Sequence, residues 1–298
     1  MKHKASRSKA VFRTVCSLPA LALFAVFGLY PFGQAIVMAF TDWSGISDSY
    51  SFVGLDNFRT MLNDDYIWIG LKNNLFLLIV VPAVTLTLSL FFAAMLTRNK
   101  LREGAFYRTV FFFPNVLSVV VISVLWSFIY HPTFGLVNSL LERIGLGHWA
   151  HAWLGDNETV MWALAVPMVW GSIGYYMIIY IASMEGIPPD LYEAAVIDGA
   201  NELQQFTKIT LPLIWDIVRI TIVLFLLSVF NGSFALVKIM TDGAPDHASE
   251  LLTTYMYRQG FSNGNYGYAM AIGMFMLVLT ITLALISERL TKKESVQF

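Results

Sequence analysis

The chain has 298 residues, of which 57% are hydrophobic, 15% aromatic and only 13% charged. That charged share is about half of a soluble protein's, and no soluble core of this length could bury so much apolar surface, so a water-soluble domain is excluded. A net charge of −1 without a basic, aromatic-interleaved face gives no sign of nucleic-acid binding. The single cysteine, Cys16, excludes an internal disulfide and a cysteine-based metal site, and reads as a small membrane residue.

Six apolar runs approach or exceed the ~20 residues that cross a bilayer. They are expected at Val15–Phe40, Asn74–Thr97, Thr109–Tyr130, Val160–Met184, Ile217–Met240 and Ala269–Ser287. The first is too long for a secretory signal and five more follow, so it is expected to remain as an anchor. Pro19, Pro31 and Trp43 fit its membrane-interface ends. Alternate connecting segments hold fourteen Lys and Arg residues against five in the others. By the positive-inside rule both termini are then cytoplasmic, with 1–14 and 288–298 flanking one membrane domain over 15–287.

The first external loop, Thr41–Lys72, carries Phe52-Val53-Gly54-Leu55-Asp56-Asn57-Phe58, read as a Gly-Leu-Asp turn followed by an amphipathic helix over Asn57–Leu62. The short basic segment Arg98–Arg108 sets topology or touches anionic head groups. Span three opens with Phe111-Phe112-Phe113-Pro114-Asn115, and a proline after the first turn is tolerable in a packed membrane helix. His148 and His151, in the second external loop, share no acidic or cysteine partner that would suggest a metal site.

The polar stretch Glu185–Ile214 is too long for a simple connection between spans. Two short helices are expected in it. Asp190 is expected to cap the first, with Glu193 closing a capping box, and Gly199 to stop it in the left-handed region. Asn201 with Gln204 is expected to cap the second, and Pro212 to end or kink it. Such an elbow either offers a soluble partner something firm to grip or lies on the inner leaflet.

Glu193-Ala194-Ala195, three residues, Gly199, nine residues, Ile209, one residue and Leu211-Pro212 complete a spaced pattern. It resembles the "EAA" signature of the membrane subunits of binding-protein-dependent ABC importers. The Phe52–Phe58 loop, with Phe40-Thr41-Asp42-Trp43 before it, resembles the carbohydrate-uptake branch, which includes the oligosaccharide and glycerol-phosphate permeases. Gly243-Ala244-Pro245 departs by one residue from the Gly-Gly-Pro usual there, whereas Phe261 and Tyr266-Gly267-Tyr268 restore the likeness.

The resemblance implies an all-α integral membrane protein with six transmembrane helices and the type I importer permease fold, in a bacterial cytoplasmic membrane. It implies a second, related permease subunit, two cytoplasmic ATPases and an extracytoplasmic solute-binding protein as partners. Its coupling residues would be Glu193, Ala194, Ala195, Asp198, Gly199, Ala200, Ile209, Leu211 and Pro212. Glu193 would meet a basic residue of the ATPase, a role in tension with its place in a capping box.

No Gly-x4-Gly-Lys-Ser/Thr loop occurs, so ATP and Mg are expected on the partner ATPase, with no cofactor and no catalytic site on this chain. The spans hold no Asp, Glu or His at depth, which argues against an ion-driven carrier and an intramembrane hydrolase. Uncharged polar and aromatic side chains remain to line a sugar pathway: Trp170, Tyr175, Tyr176, Asn231, Ser233 and Phe234. An interhelical hydrogen bond at Asn231, and packing for the aromatics, are the plainer readings. An importer for a non-sugar solute (glycerol-phosphate, amino acid or polyamine) would share the elbow, and a receptor without transport would not need it.

Overall fold

The computed structural model describes residues 2–47, 49–98 and 103–291. Among them the only β-structure is an isolated bridge between Thr41 and Phe52. The helices are α1 (Lys2–Phe24), α2 (Tyr30–Met38), α3 (Asp56–Leu62), α4 (Asp65–Arg98), α5 (Gly104–Val116), α6 (Val119–Ile129) and α7 (Leu136–Arg143), then α8 (Val160–Glu185), α9 (Pro189–Ile197), α10 (Glu202–Gln205), α11 (Leu211–Leu213), α12 (Trp215–Met240), α13 (Leu252–Tyr257) and α14 (Tyr266–Thr291). Four stretches are long and apolar enough to cross a membrane, and two bent pairs raise the number to six if each pair is one span.

The chain forms two compact units, Met1–Asp64 with Met256–Leu277, and Asp65–Tyr255 with Val278–Phe298. In the first, α1 runs through a π-helical turn at Ala25–Leu29 into α2. The loop after α2 folds onto the start of α14. Asn57 Nδ2 donates to the carbonyls of Ala39 and Thr41, both at 2.9 Å, and Tyr268 Oη donates to Asp64 Oδ2 at 2.7 Å. Gly267 lets the Thr41 carbonyl come close, because a Cβ there would overlap it. The Gly54 turn (φ 59°) leads into α3, one residue earlier than expected.

In the second unit α8 is the central strut, packed along α4 and α5 and against α6 and α12. Ser89 donates to the Ile173 carbonyl at 2.8 Å, Tyr180 and Thr221 share a hydrogen bond of 2.7 Å, and Tyr176 stacks on Phe225 with centroids 4.6 Å apart. Leu77, Val81, Leu164, Met177, Tyr180 and Val237 are among its fully buried core residues.

Two boundaries differ from expectation. The second span begins at Asp65 rather than Asn74, because its polar Asn73 and Asn74 find partners within the fold. Asn73 Nδ2 donates to the carbonyls of Ala248 and Glu250, and Asn74 Oδ1 accepts from the Leu252 N–H. Anchored in this way, though Asn74 Nδ2 is buried without a partner among the described residues, they continue a helix that hydropathy alone would start later.

The expected continuous span Thr109–Tyr130 is broken. The α5 and α6 axes meet at 99° across Leu117 and Ser118, which are both extended (ψ 142° and 148°). Pro114 removes a ladder donor near the end of α5, and Ser118 caps α6 by accepting from the Val121 N–H at 3.4 Å.

Candidate functional site

The coupling stretch folds as two short helices around a glycine corner. Pro188 is the N-cap of α9 and Pro189 its first residue, a position where the fixed proline φ suits a helix start. The two prolines therefore put Asp190 inside the helix, and no side chain caps it. The expected Asp190–Glu193 capping box is absent, which frees Glu193: it is exposed and has no side-chain partner among the described residues. The tension between capping and docking disappears with it.

At the other end of α9 the expected glycine stop is present. Gly199 has φ 77°, its N–H donates to the Val196 carbonyl at 3.0 Å, and the Ala200 N–H donates to Ala195 at 2.9 Å. This pair of bonds is the Schellman arrangement. The second cap is also as expected: Asn201 Oδ1 accepts from the Gln204 N–H, and Gln204 Oε1 from the Asn201 N–H, each at 2.9 Å.

Beyond α10 a π-helical turn, Phe206–Thr210, carries the chain through α11 to α12. The elbow is closed by Tyr192, whose hydroxyl lies 2.9 Å from Thr210 Oγ1, and by Gln205, which donates to the Ala200 carbonyl at 3.0 Å. At its start, Arg108 of α5 pairs with Glu185 of α8 at 2.7 Å.

Of the residues assigned to coupling, Glu193, Ala194, Asp198, Gly199 and Pro212 are exposed, whereas Ala195, Ala200, Ile209 and Leu211 are half-buried. The structure adds three apolar neighbours that the motif does not name. Ile197 is 87% exposed, Leu203 71% and Val196 63%. Ile197 follows Glu193 by one helical turn and so shares its face, a relation the spacing alone already contained. Large apolar side chains held out on a rigid elbow are what a partner's surface would cover.

A second feature lies at the α5–α6 break, a cavity of about 240 Å³ whose described lining residues are all uncharged. Its polar groups are Asn115, Ser172 and Ser228, with Gly171 and Gly232 leaving room beside them. Asn115 Nδ2 leans on the Gly171 carbonyl at 3.4 Å.

Of the residues singled out for the pathway, Trp170, Tyr175, Tyr176, Ser233 and Phe234 do not line this cavity. Trp170 is half-buried and meets Trp126 edge to face at 5.9 Å, Tyr175 is exposed, and Tyr176 and Ser233 are buried. Phe234 is half-buried, and the side chain of Asn231 lies outside the described residues. Cys16 is exposed. His151 is engaged with the Trp149 carbonyl and Thr159, and no group of three metal-ligating side chains forms among the described residues.

Comparison with known proteins adds to this geometry. The family model of the binding-protein-dependent transport system inner membrane component matches residues 85–295. The diacetylchitobiose uptake system permease protein NgcF of Streptomyces coelicolor is 37% identical over 262 residues, 85% of this chain and 74% of that protein. The "Probable ABC transporter permease protein YurN" of Bacillus subtilis is 37% identical over 279 residues, 92% of this chain and 94% of that one. Among solved structures, a chain of a bacterial alginate ABC transporter, in complex with an alginate pentasaccharide-bound periplasmic protein, superposes with a TM-score of 0.83 at 25% identity, covering 98% of this chain and 99% of its own.

Proposed function

The chain belongs to the binding-protein-dependent transport system inner membrane component family, and on that premise we propose that it is the permease subunit of an ATP-driven sugar importer. The observation that carries this reading is the elbow, a capped, glycine-cornered helix pair that presents Glu193, Ile197 and Leu203 outward. It is built to be held by another protein. The type I importer arrangement gives the partners: a second permease, which forms the pathway together with this chain, two cytoplasmic ATPases that carry ATP and Mg, and an extracytoplasmic solute-binding protein.

Both termini and the elbow then lie on the cytoplasmic side of a bacterial inner membrane, the side that the Lys and Arg distribution favours. ATP-driven closure of the ATPases pulls on the Ala194–Gly199 corner. The elbow passes the movement to α8 and α12, and the pathway alternates between outward- and inward-facing. The helix break beside Asn115, Ser172 and Ser228 supplies this chain's share of the pathway, with Trp170, Tyr175, Asn231, Ser233 and Phe234 on the same two helices, α8 and α12.

The solute class follows from charge. A phosphate or a carboxylate needs a cation and a polyamine needs an anion, whereas the described residues of the cavity lining offer hydroxyl, amide and apolar groups. Those suit a neutral sugar. The test is uptake by the reconstituted complex of labelled oligosaccharides against glycerol phosphate. Sugar uptake with stimulated ATP hydrolysis is expected, and uptake of the phosphate ester alone would reject the sugar reading.

A further inference from the structure

A larger cavity, about 460 Å³, lies behind the elbow and within the same compact unit. Its walls come from the end of α4 (Ala94, Thr97), the end of α8 (Met184) and the inner side of the elbow. Tyr192 and Val196, one turn apart on α9, face it, while Glu193 and Ile197 stand on the neighbouring stripe. Its size falls in the range of small-molecule sites, and the coupling geometry makes no use of it.

From this lining we infer a second, cytoplasm-side site on this chain for a neutral polyhydroxylated ring, a mono- or disaccharide, that restrains the elbow when occupied. The inference rests on the sugar reading above for the identity of the ligand. Tyr192 and Phe206 supply ring faces for an apolar sugar face. Thr97 supplies a buried hydroxyl that has no partner among the described residues. The Tyr192 and Thr210 hydroxyls, bonded to each other, each keep further capacity toward a ligand.

Among the described lining residues the one charged group is the Glu202 carboxylate, which disfavours an anion. Five of the nine described lining residues are polar, which disfavours an alkyl chain. Because the elbow is itself one wall, a ligand bridging Thr97 to the elbow opposes its displacement. Sugar accumulating inside the cell would then slow its own import.

The test uses the complete transporter in nanodiscs and a maltoside carrying a diazirine, irradiated in the presence of increasing free maltose. Label is expected on the 192–210 stretch and on the end of α4, competed by free maltose. Thr97→Val, which removes the hydroxyl at nearly constant shape, is expected to weaken that competition roughly tenfold. Ala94→Phe fills the cavity and is expected to abolish elbow labelling, and both variants should leave labelling at the α5–α6 cavity unchanged. Should Ala94→Phe fail to assemble, Thr97→Val decides the matter.

An unlabelled elbow in a complex that still imports sugar would overturn the site and leave the importer reading intact. So would labelling by diazirine-palmitate in place of the maltoside, which would mark a lipid chamber. Elbow labelling with the expected Thr97→Val effect in a complex that imports no sugar would support the site and reject the importer reading.

Discussion

The chain bends by 99° between α5 and α6 and turns again at the Gly199 corner between α9 and α10, and the two bends are held in different ways. The elbow is held by its own residues. Gly199 turns it, Asn201 and Gln204 cap it, and Tyr192 reaches Thr210 across it. The α5–α6 break has one long side-chain cap bond of its own, Ser118 accepting from Val121, and a backbone bond from Leu117 to the Pro114 carbonyl, and otherwise leans on α8. There Gly174 has no room for a Cβ against the Phe111 carbonyl, and Asn115 reaches Gly171. A bend that closes on itself can be pushed as a body. One that depends on a neighbouring helix responds when that neighbour moves.

The variant that strains this comparison most is Gly174→Ala. Its Cβ would overlap the backbone of Phe111 and Phe112, so α5 and α8 must separate. A loss of about 3 kcal/mol is expected, read as a lowered midpoint of thermal unfolding in nanodiscs; an unchanged midpoint would mean α8 does not hold the break. Next comes Gly199→Val. The space around Gly199 is open, so the penalty is the left-handed backbone alone, about 1–2 kcal/mol. Gly199→Asn should recover most of it, and equal loss of ATPase co-purification in both variants would point to a contact rather than a turn.

Asn201→Ala removes half of a capping box and should cost about 1 kcal/mol. Faster proteolysis confined to the elbow checks it, and protection equal to wild type would show that the box is dispensable. Ser118→Ala should have the smallest effect, about 0.5 kcal/mol, since its cap bond is long. A larger drop than for Asn201→Ala would invert the comparison and make the α5–α6 break the locally encoded one.

The same difference explains what could be read in advance. Gly199, Asn201 and Gln204 were legible because their effects are local and their spacing is short. Asp190 was misplaced because the proline pair before it fixes the helix start more firmly than a capping carboxylate does. The α5–α6 break was hidden in an apolar run where hydropathy is silent. Pro114 and Ser118, four residues apart, were its only signals, and close packing on Gly174 completes it. Hydropathy leaves Asn73 outside its helix and starts the span only at Asn74, because their partners lie about 175 residues away in the sequence. The cavity beside Asn115 was missed for a related reason: it exists only once the break has formed, and no spacing within α8 or α12 announces it.

The central claim is that the elbow's outer face is where another protein grips this chain. Ile197 tests it cleanly, because at 87% exposure its side chain contributes little to the fold. The measurement is ATPase co-purification and sugar-stimulated ATP hydrolysis of the complex carrying Ile197→Asp, with membrane insertion and thermal stability followed in parallel. The account predicts normal insertion and stability, with ATPase association and stimulation lost. An Ile197→Asp complex that assembles and hydrolyses ATP like wild type would contradict it.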